Sequence, residues 1–174
     1  MVSMDHWVRE GKVPLPSQYP KLSDGTLVAS GKVTFPAIPT VQSPRTIPAA
    51  RHDGTPIPFL VSQVDADGNE RAGVRTAELL VPMATYTGWN FRNTSIGGTD
   101  QLVSLLGSRI PLARTKAERA ATHDPRLSVE ERYPSHDAYL TKAKDVADTL
   151  VKGGYLLAQD VTEVMKRMEE QWGK

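Results

Sequence analysis

Apolar residues recur at helical spacing through the last third of the chain and lose that regularity before it. Tyr139, Ala143, Val146, Ala147 and Leu150 fall at i, i+4, i+7, i+8 and i+11, a single apolar stripe on a long helix. Ser135 stands at its N-cap position, and Gly153-Gly154 closes it after Lys152. Val161, Val164, Met165, Met168 and Trp172 repeat the stripe on a final helix, with Asp160 as its cap. The short apolar link Tyr155-Leu156-Leu157 makes the pair an antiparallel αα-hairpin. Each helix is apolar on one side only, so the pair covers something. Helical spacing alone accounts for the Met and Trp stripe, which reads as core and not as a cofactor box. Just upstream, Thr115-Lys-Ala-Glu118 and Ser128-Val-Glu-Glu131 follow the capping-box pattern. They predict one helix stopped by Asp124-Pro125 and a second, short one stopped by Pro134, with Leu127 at the staple position.

The front of the chain has short apolar runs between turn signals. Met4, Trp7 and Val8 share a face over residues 3–10, with Ser3 as N-cap and Gly11 as the stop. Residues 12–58 then hold nine of the 13 prolines, which rules out helix there. A loop of this length is unusual inside a compact domain, so we read an extended arm lying across another surface. That surface is its own domain, a second copy or a further domain. Disorder is the alternative, against which Leu15, Tyr19, Phe35 and Ile38 supply apolar contacts. Residues 57–64 read as a strand, Asp65 to Glu70 as a turn cluster, and Val74 to Val81 as a second β-type run, together a hairpin or a longer loop. Thr99 or Asp100 caps a predicted short helix to Leu106, with Gly107 as its C′ stop. Strand and helix patterns are segregated and do not alternate, which favours α+β over a doubly wound sheet. The expected organisation is one domain over 1–174: an arm with a short helix (1–58), a hairpin and aromatic loop (59–112), and helices (113–174).

Composition narrows the function. At 174 residues the chain is long enough for one core. With 21 basic and 20 acidic residues the net charge is +1, and there is no sustained basic run, so nothing points to nucleic acid. No apolar stretch reaches the ~18 residues of a membrane span, and the start lacks a signal-peptide pattern, so the chain reads as soluble with its compartment open. The absence of cysteine excludes thiolate nucleophiles, disulfides and Cys-based zinc sites.

Candidate chemistry is sparse. All four histidines neighbour an aspartate (Asp5-His6, His52-Asp53, His123-Asp124, His136-Asp137), but sequence neighbours point apart on either kind of element. None shows the i, i+4 spacing of a helical zinc site. The Asp65 to Glu70 cluster fails the calcium-loop template, since Gly68 is fourth and Thr76 twelfth, and reads as a structural turn. Gly97-Gly98 lacks the strand and Lys of a phosphate loop. The nearest approach to a nucleophile elbow, Asn93-Thr-Ser95-Ile-Gly97, has Asn for the first glycine and neither a buried strand before it nor a helix after it. No catalytic residue, metal ligand or cofactor is therefore assigned. The best site candidate is Ala84-Thr-Tyr-Thr-Gly-Trp-Asn-Phe-Arg92. There Tyr86 and Trp89 offer contact area with polar tips, and Asn90 and Arg92, with Arg75 nearby in sequence, can fix a polar ligand group. The competing reading makes both rings core anchors, with Gly88 permitting a turn.

Four blocks carry a resemblance: Asp67-Gly-Asn-Glu-Arg-Ala-Gly-Val-Arg75, Val81-Pro-Met-Ala-Thr-Tyr-Thr-Gly-Trp-Asn-Phe-Arg92, Gly107-Ser-Arg-Ile-Pro-Leu-Ala-Arg-Thr-Lys-Ala-Glu-Arg119 and Asp124-Pro-Arg-Leu-Ser-Val-Glu-Glu-Arg-Tyr133. With Trp7-Val-Arg-Glu-Gly11 and Tyr19 to Leu27, they resemble the C-terminal region of a large bacterial family of uncharacterised α/β-hydrolase-domain proteins. The resemblance implies ester or amide hydrolysis for full-length members, whose nucleophile elbow and catalytic histidine would lie upstream, and no catalytic residue within this chain. It also implies a partner surface for the arm: a hydrolase core, or a second copy in a homo-oligomer. The expectation is a non-catalytic structural or interaction module that lines a ligand site. The alternatives are a stand-alone small-molecule-binding protein using Tyr86 to Arg92, and a small serine esterase built on Ser95 or Ser108.

Overall fold

The computed structural model describes residues 2–44, 49–50, 52–57 and 59–173. Its helices are α1 (Val2–Glu10), α2 (Ala77–Leu80), α3 (Lys116–Thr122), α4 (Val129–Arg132), α5 (His136–Lys152) and α6 (Val161–Trp172). Its strands are β1 (Leu27–Ala29), β2 (Ala49–Ala50), β3 (Pro56–Ile57), β4 (Leu60–Ser62), β5 (Ala84–Thr87) and β6 (Ser108–Pro111). The strands pair antiparallel in three two-stranded ribbons, β1 with β4, β2 with β3 and β5 with β6. The fold is α+β as expected, with short strands in front and helices behind.

The helical half follows the sequence closely. Thr115 and Ser128 each close a full capping box, with Glu118 and Glu131. Ser135 caps α5 by accepting from the Ala138 N–H. The α5 stripe buries Tyr139, Ala143 and Ala147, and α6 buries Val164 and Met168 against them. Leu112, Val129, Tyr133 and Met83 complete this core. Two details differ. Leu127 is exposed and makes no apolar staple, because the position it would meet is Arg132, whose Nε donates to the Leu127 carbonyl at 2.9 Å. Asp160 precedes α6 without a side-chain cap, since a 3-10 turn at Ala158–Asp160 already leads into the helix.

The front half departs further from expectation. Val74 to Val81 is not a strand. It ends in α2, which buries Ala77 and Val81 at i, i+4 spacing against the hairpin of α5 and α6. The predicted strand over 57–64 divides in two: β3 pairs with β2, and β4 turns to β1 in the register Leu27↔Ser62, Val28↔Val61, Ala29↔Leu60. Pro48 and Pro58 lie outside the described residues. The helix expected at 99–106 does not form. Its backbone is claimed by the aromatic loop instead: the Arg92 N–H bonds Gln101 O, and the Val103 N–H bonds Asn90 O, both at 2.9 Å. Gly107 therefore caps no helix. It is glycine because a Cβ there would lie 2.2 Å from the Thr87 carbonyl oxygen. The arm does rest partly on its own chain. Leu15 packs over Gly154, the Gln18 amide donates to the Tyr155 hydroxyl at 2.9 Å, and Ile38 is buried.

Between the two halves lies a buried ion pair. Arg126 is 3 % exposed, and all five of its guanidinium hydrogens are directed at acceptors. Nε and Nη2 hold Asp124, Nη1 reaches Thr85 Oγ1 (2.8 Å) and Ile110 O (3.0 Å), and Nη2 also reaches Pro111 O (3.0 Å). Burial pushes the Asp124 carboxyl up, but the Arg126 hydrogen bonds and charge more than offset this and hold it below the ordinary carboxylate value. A depressed folded value means that the stabilisation is complete above about pH 4 and is lost as pH falls through the lower folded value. Replacing Arg126 with Met should cost about 3–5 kcal/mol, because it strands a buried carboxylate. It should also make the acid limb of a thermal-melt series shallower, and Asp124→Asn added to Arg126→Met should recover part of the loss. Equal acid slopes in wild type and Arg126→Met would show that the pair does not carry this stability.

Candidate functional site

The site is built on β5. Its two edges are held differently. On one side β6 pairs in the register Ala84↔Pro111, Thr85↔Ile110, Tyr86↔Arg109, Thr87↔Ser108. On the other, the fully buried Asn69 substitutes for a strand: its Nδ2 donates to Ala84 O at 3.1 Å and its Oδ1 accepts from the Tyr86 N–H at 2.7 Å. One side-chain amide thus bonds residues i and i+2 of the strand, as a backbone neighbour would. Asn69 is in turn fixed by the turn before it. Asp65 Oδ1 accepts from the Asp67 and Asn69 N–H groups at 3.0 Å, and Val64 bridges Glu70. Asp67 forms a bidentate pair with Arg132, and Asp65 Oδ2 meets Arg75 at 2.6 Å. These acidic residues are engaged by arginines and backbone, in keeping with a structural turn. No metal-holding cluster occurs among the described residues.

Beyond Thr87 the chain turns, and Trp89 folds back over the arm. Its carbonyl accepts from Thr87 Oγ1 (2.5 Å) and Ser108 Oγ (2.9 Å), so the turn is locked from both strands. Its ring meets Phe35 at 5.6 Å and Phe91 at 5.8 Å between centroids, tilted and edge-on. A cleft of about 560 Å³ opens between this aromatic loop and the β1–β4 ribbon. Phe35, Val61, Val64, Tyr86 and Trp89 give it apolar walls. Ser30, Ser43, Ser62 and Thr87 add hydroxyl-bearing residues, and Glu70 adds a carboxylate. The volume lies in the range of small-molecule sites.

The five residues singled out from sequence do not all meet here. Tyr86 and Trp89 line the cleft. The Tyr86 hydroxyl also donates to Gln171 Oε1 of α6 at 2.8 Å, and burial raises its pKa despite Arg109 nearby. Asn90 and Arg92 lie past the turn, where Asn90 O accepts from Val103 and Arg92 Nη1 reaches Gln101 Oε1 at 3.3 Å. Arg75 is occupied by Asp65 and by Leu79 O at 3.1 Å. Sequence reasoning missed Phe35 and Glu70 as wall residues. Their signal was faint: Phe35 sits in a Pro-rich arm whose docking surface no local pattern specifies, and Glu70 belongs to a cluster that reads as a turn.

Against known proteins, the family model described as alpha/beta hydrolase domain matches residues 1–166, and the chain belongs to that family. No curated protein and no solved structure matches it.

The cleft's floor has a specific steric requirement at Gly68. Its φ is +78°, and a Cβ there would stand 2.9 Å from both Phe35 Cε2 and Thr85 Cγ2. Thr85 is held by Arg126, so Phe35 is the side that must move. Gly68→Ala should therefore cost about 1–3 kcal/mol and shift the Trp89 emission as Phe35 leaves its ring. Unchanged melting and emission would mean that the arm does not pack as described.

Proposed function

We propose, from membership of the alpha/beta hydrolase domain family, that this chain acts as a non-catalytic module of a hydrolase-like protein. In this reading it corresponds to the C-terminal part of such a protein, packs against a hydrolase core and lines a ligand site with its aromatic cleft. The observation carrying the reading is the dispersal of nucleophile and base candidates. Ser95 sits in an exposed 3-10 turn capped by Asn93. Ser108 directs its hydroxyl proton to Trp89 O. His123 is the left-handed residue that ends α3, and His136 faces Glu169 and Trp172. Among the described residues no serine hydroxyl is hydrogen-bonded to an imidazole, the arrangement of a Ser–His acyl-transfer site. The aromatic cleft, by contrast, is walled from four separate stretches of the chain.

A second observation bears on partners. Val8 and Val13 are 78 % and 79 % exposed, and Met4, Trp7, Tyr19 and Leu22 are also exposed. This apolar N-terminal surface suits an interface, with a hydrolase core or with a second copy through the arm.

Two measurements follow. The chain incubated with activated esters should give no turnover above buffer. Activity that disappears in Ser95→Ala or Ser108→Ala would replace this reading with a small serine esterase. In sedimentation at micromolar concentration, self-association should appear and weaken in Val8→Asp. A clean monomer would remove the second copy as the partner of the arm.

A further inference from the structure

Resting on the reading of the aromatic cleft as a ligand site, we infer that the cleft selects organic cations, an aromatic or alkyl ammonium, and not the acidic or carbonyl compounds that Asn90 and Arg92 would suggest. The charge of the lining is the basis. Among the described residues no lysine or arginine lines the cleft, and Glu70 is the carboxylate that does. Four arginines of the neighbourhood are engaged elsewhere, Arg75 with Asp65, Arg132 with Asp67, Arg126 with Asp124 and Arg92 with Gln101, while Arg109 stands beside Tyr86 on the paired strand and is not among the lining residues. Glu70 forms no ion pair among the described residues, is exposed, and is one of the residues lining the cleft.

The walls fit the same chemistry. Three aromatic residues, Phe35, Tyr86 and Trp89, border the space. Phe35 and Phe91 pack on the Trp89 ring, and the doubly bonded Trp89 carbonyl holds its backbone. The negative face of a positioned indole attracts a cation, and does so best where water is thinned. A carboxylate at the rim adds attraction for a positive group and repels a carboxylate ligand by a like amount. The hydroxyl-bearing residues Ser30, Ser43, Ser62 and Thr87 can serve ligand donors or acceptors alike, so they do not reverse this preference. An apolar moiety between Val61, Val64 and Phe35 with its cationic head toward Trp89 and Glu70 satisfies every wall at once.

The test uses the full chain and three probes of similar size: benzyltrimethylammonium, benzyl alcohol and phenylacetate, each titrated by calorimetry and by tryptophan emission. Benzyltrimethylammonium should bind at least ~10-fold more tightly than either of the others. Glu70→Gln should weaken it by ~3- to 10-fold without lowering the melting temperature, and Trp89→Leu should weaken it further. Glu163→Gln on α6, away from the cleft, controls for general charge. If benzyl alcohol or phenylacetate binds as tightly as the cation, the cleft remains a ligand site and the charge selection is wrong. If none of the three binds, both the selection and the underlying reading of the cleft fail.

Discussion

The Arg126 guanidinium is the group on which the rest of the structure depends. A buried cation is costly unless every donor is met, and here all five are. Its acceptors come from three places in the chain: Asp124 before α4, Thr85 on β5, and the carbonyls of Ile110 and Pro111 on β6. In this arrangement of those segments every donor is met. Arg126 therefore fixes where the helical half meets the β5–β6 ribbon, and so where Tyr86 and Trp89 stand.

The pattern extends outward from that point. Thr85 accepts from Arg126 and donates to Asp67 O, which leads to the turn that Arg132 holds through the Asp67 carboxylate. Tyr133 donates to Pro82 O at 3.0 Å, and Arg119 reaches Glu131 at 2.7 Å. The four blocks that carry the family resemblance are the four segments joined in this way. Polar contacts of this kind are directional and fail if a segment shifts by a residue, whereas apolar contacts tolerate repacking. The apolar core under α5 and α6 contributes burial, and the arginine contacts contribute registration of the loops around the cleft.

The cleft shows how a loop-rich half can hold a defined shape. Its strands are only two to four residues long, too short to be stable as isolated ribbons. They are held instead by side chains acting in place of missing strands, Asn69 for β5 and Gln63 for the arm. Gln63 is buried, with its Oε1 accepting from the Thr34 N–H at 3.1 Å and its Nε2 donating to Lys32 O at 3.1 Å. The arm is thereby brought close enough for Phe35 to pack on Trp89.

The sequence by itself determined the helices of the C-terminal half. Capping boxes, stripes and stop residues act within a few positions, so Thr115, Ser128, Ser135 and the α5 and α6 faces were legible without coordinates. It also determined the α+β class and the segregation of loops from helices. The tertiary structure decided what depends on distant partners. Val74 to Val81 ends in a helical turn, because Ala77-Glu-Leu-Leu80 are good helix formers and α5 and α6 give Ala77 and Val81 a groove to fill. Residues 99–106 gave up a capped helix because Asn90 and Arg92 competed for their backbone groups. Of the five candidate site residues, Tyr86 and Trp89 reached the cleft. Arg75 pairs with Asp65 ten positions earlier, and Phe35 and Glu70 arrived from stretches whose own pattern says only arm and turn. Charge pairing and backbone competition act across tens of residues, and no periodicity records them.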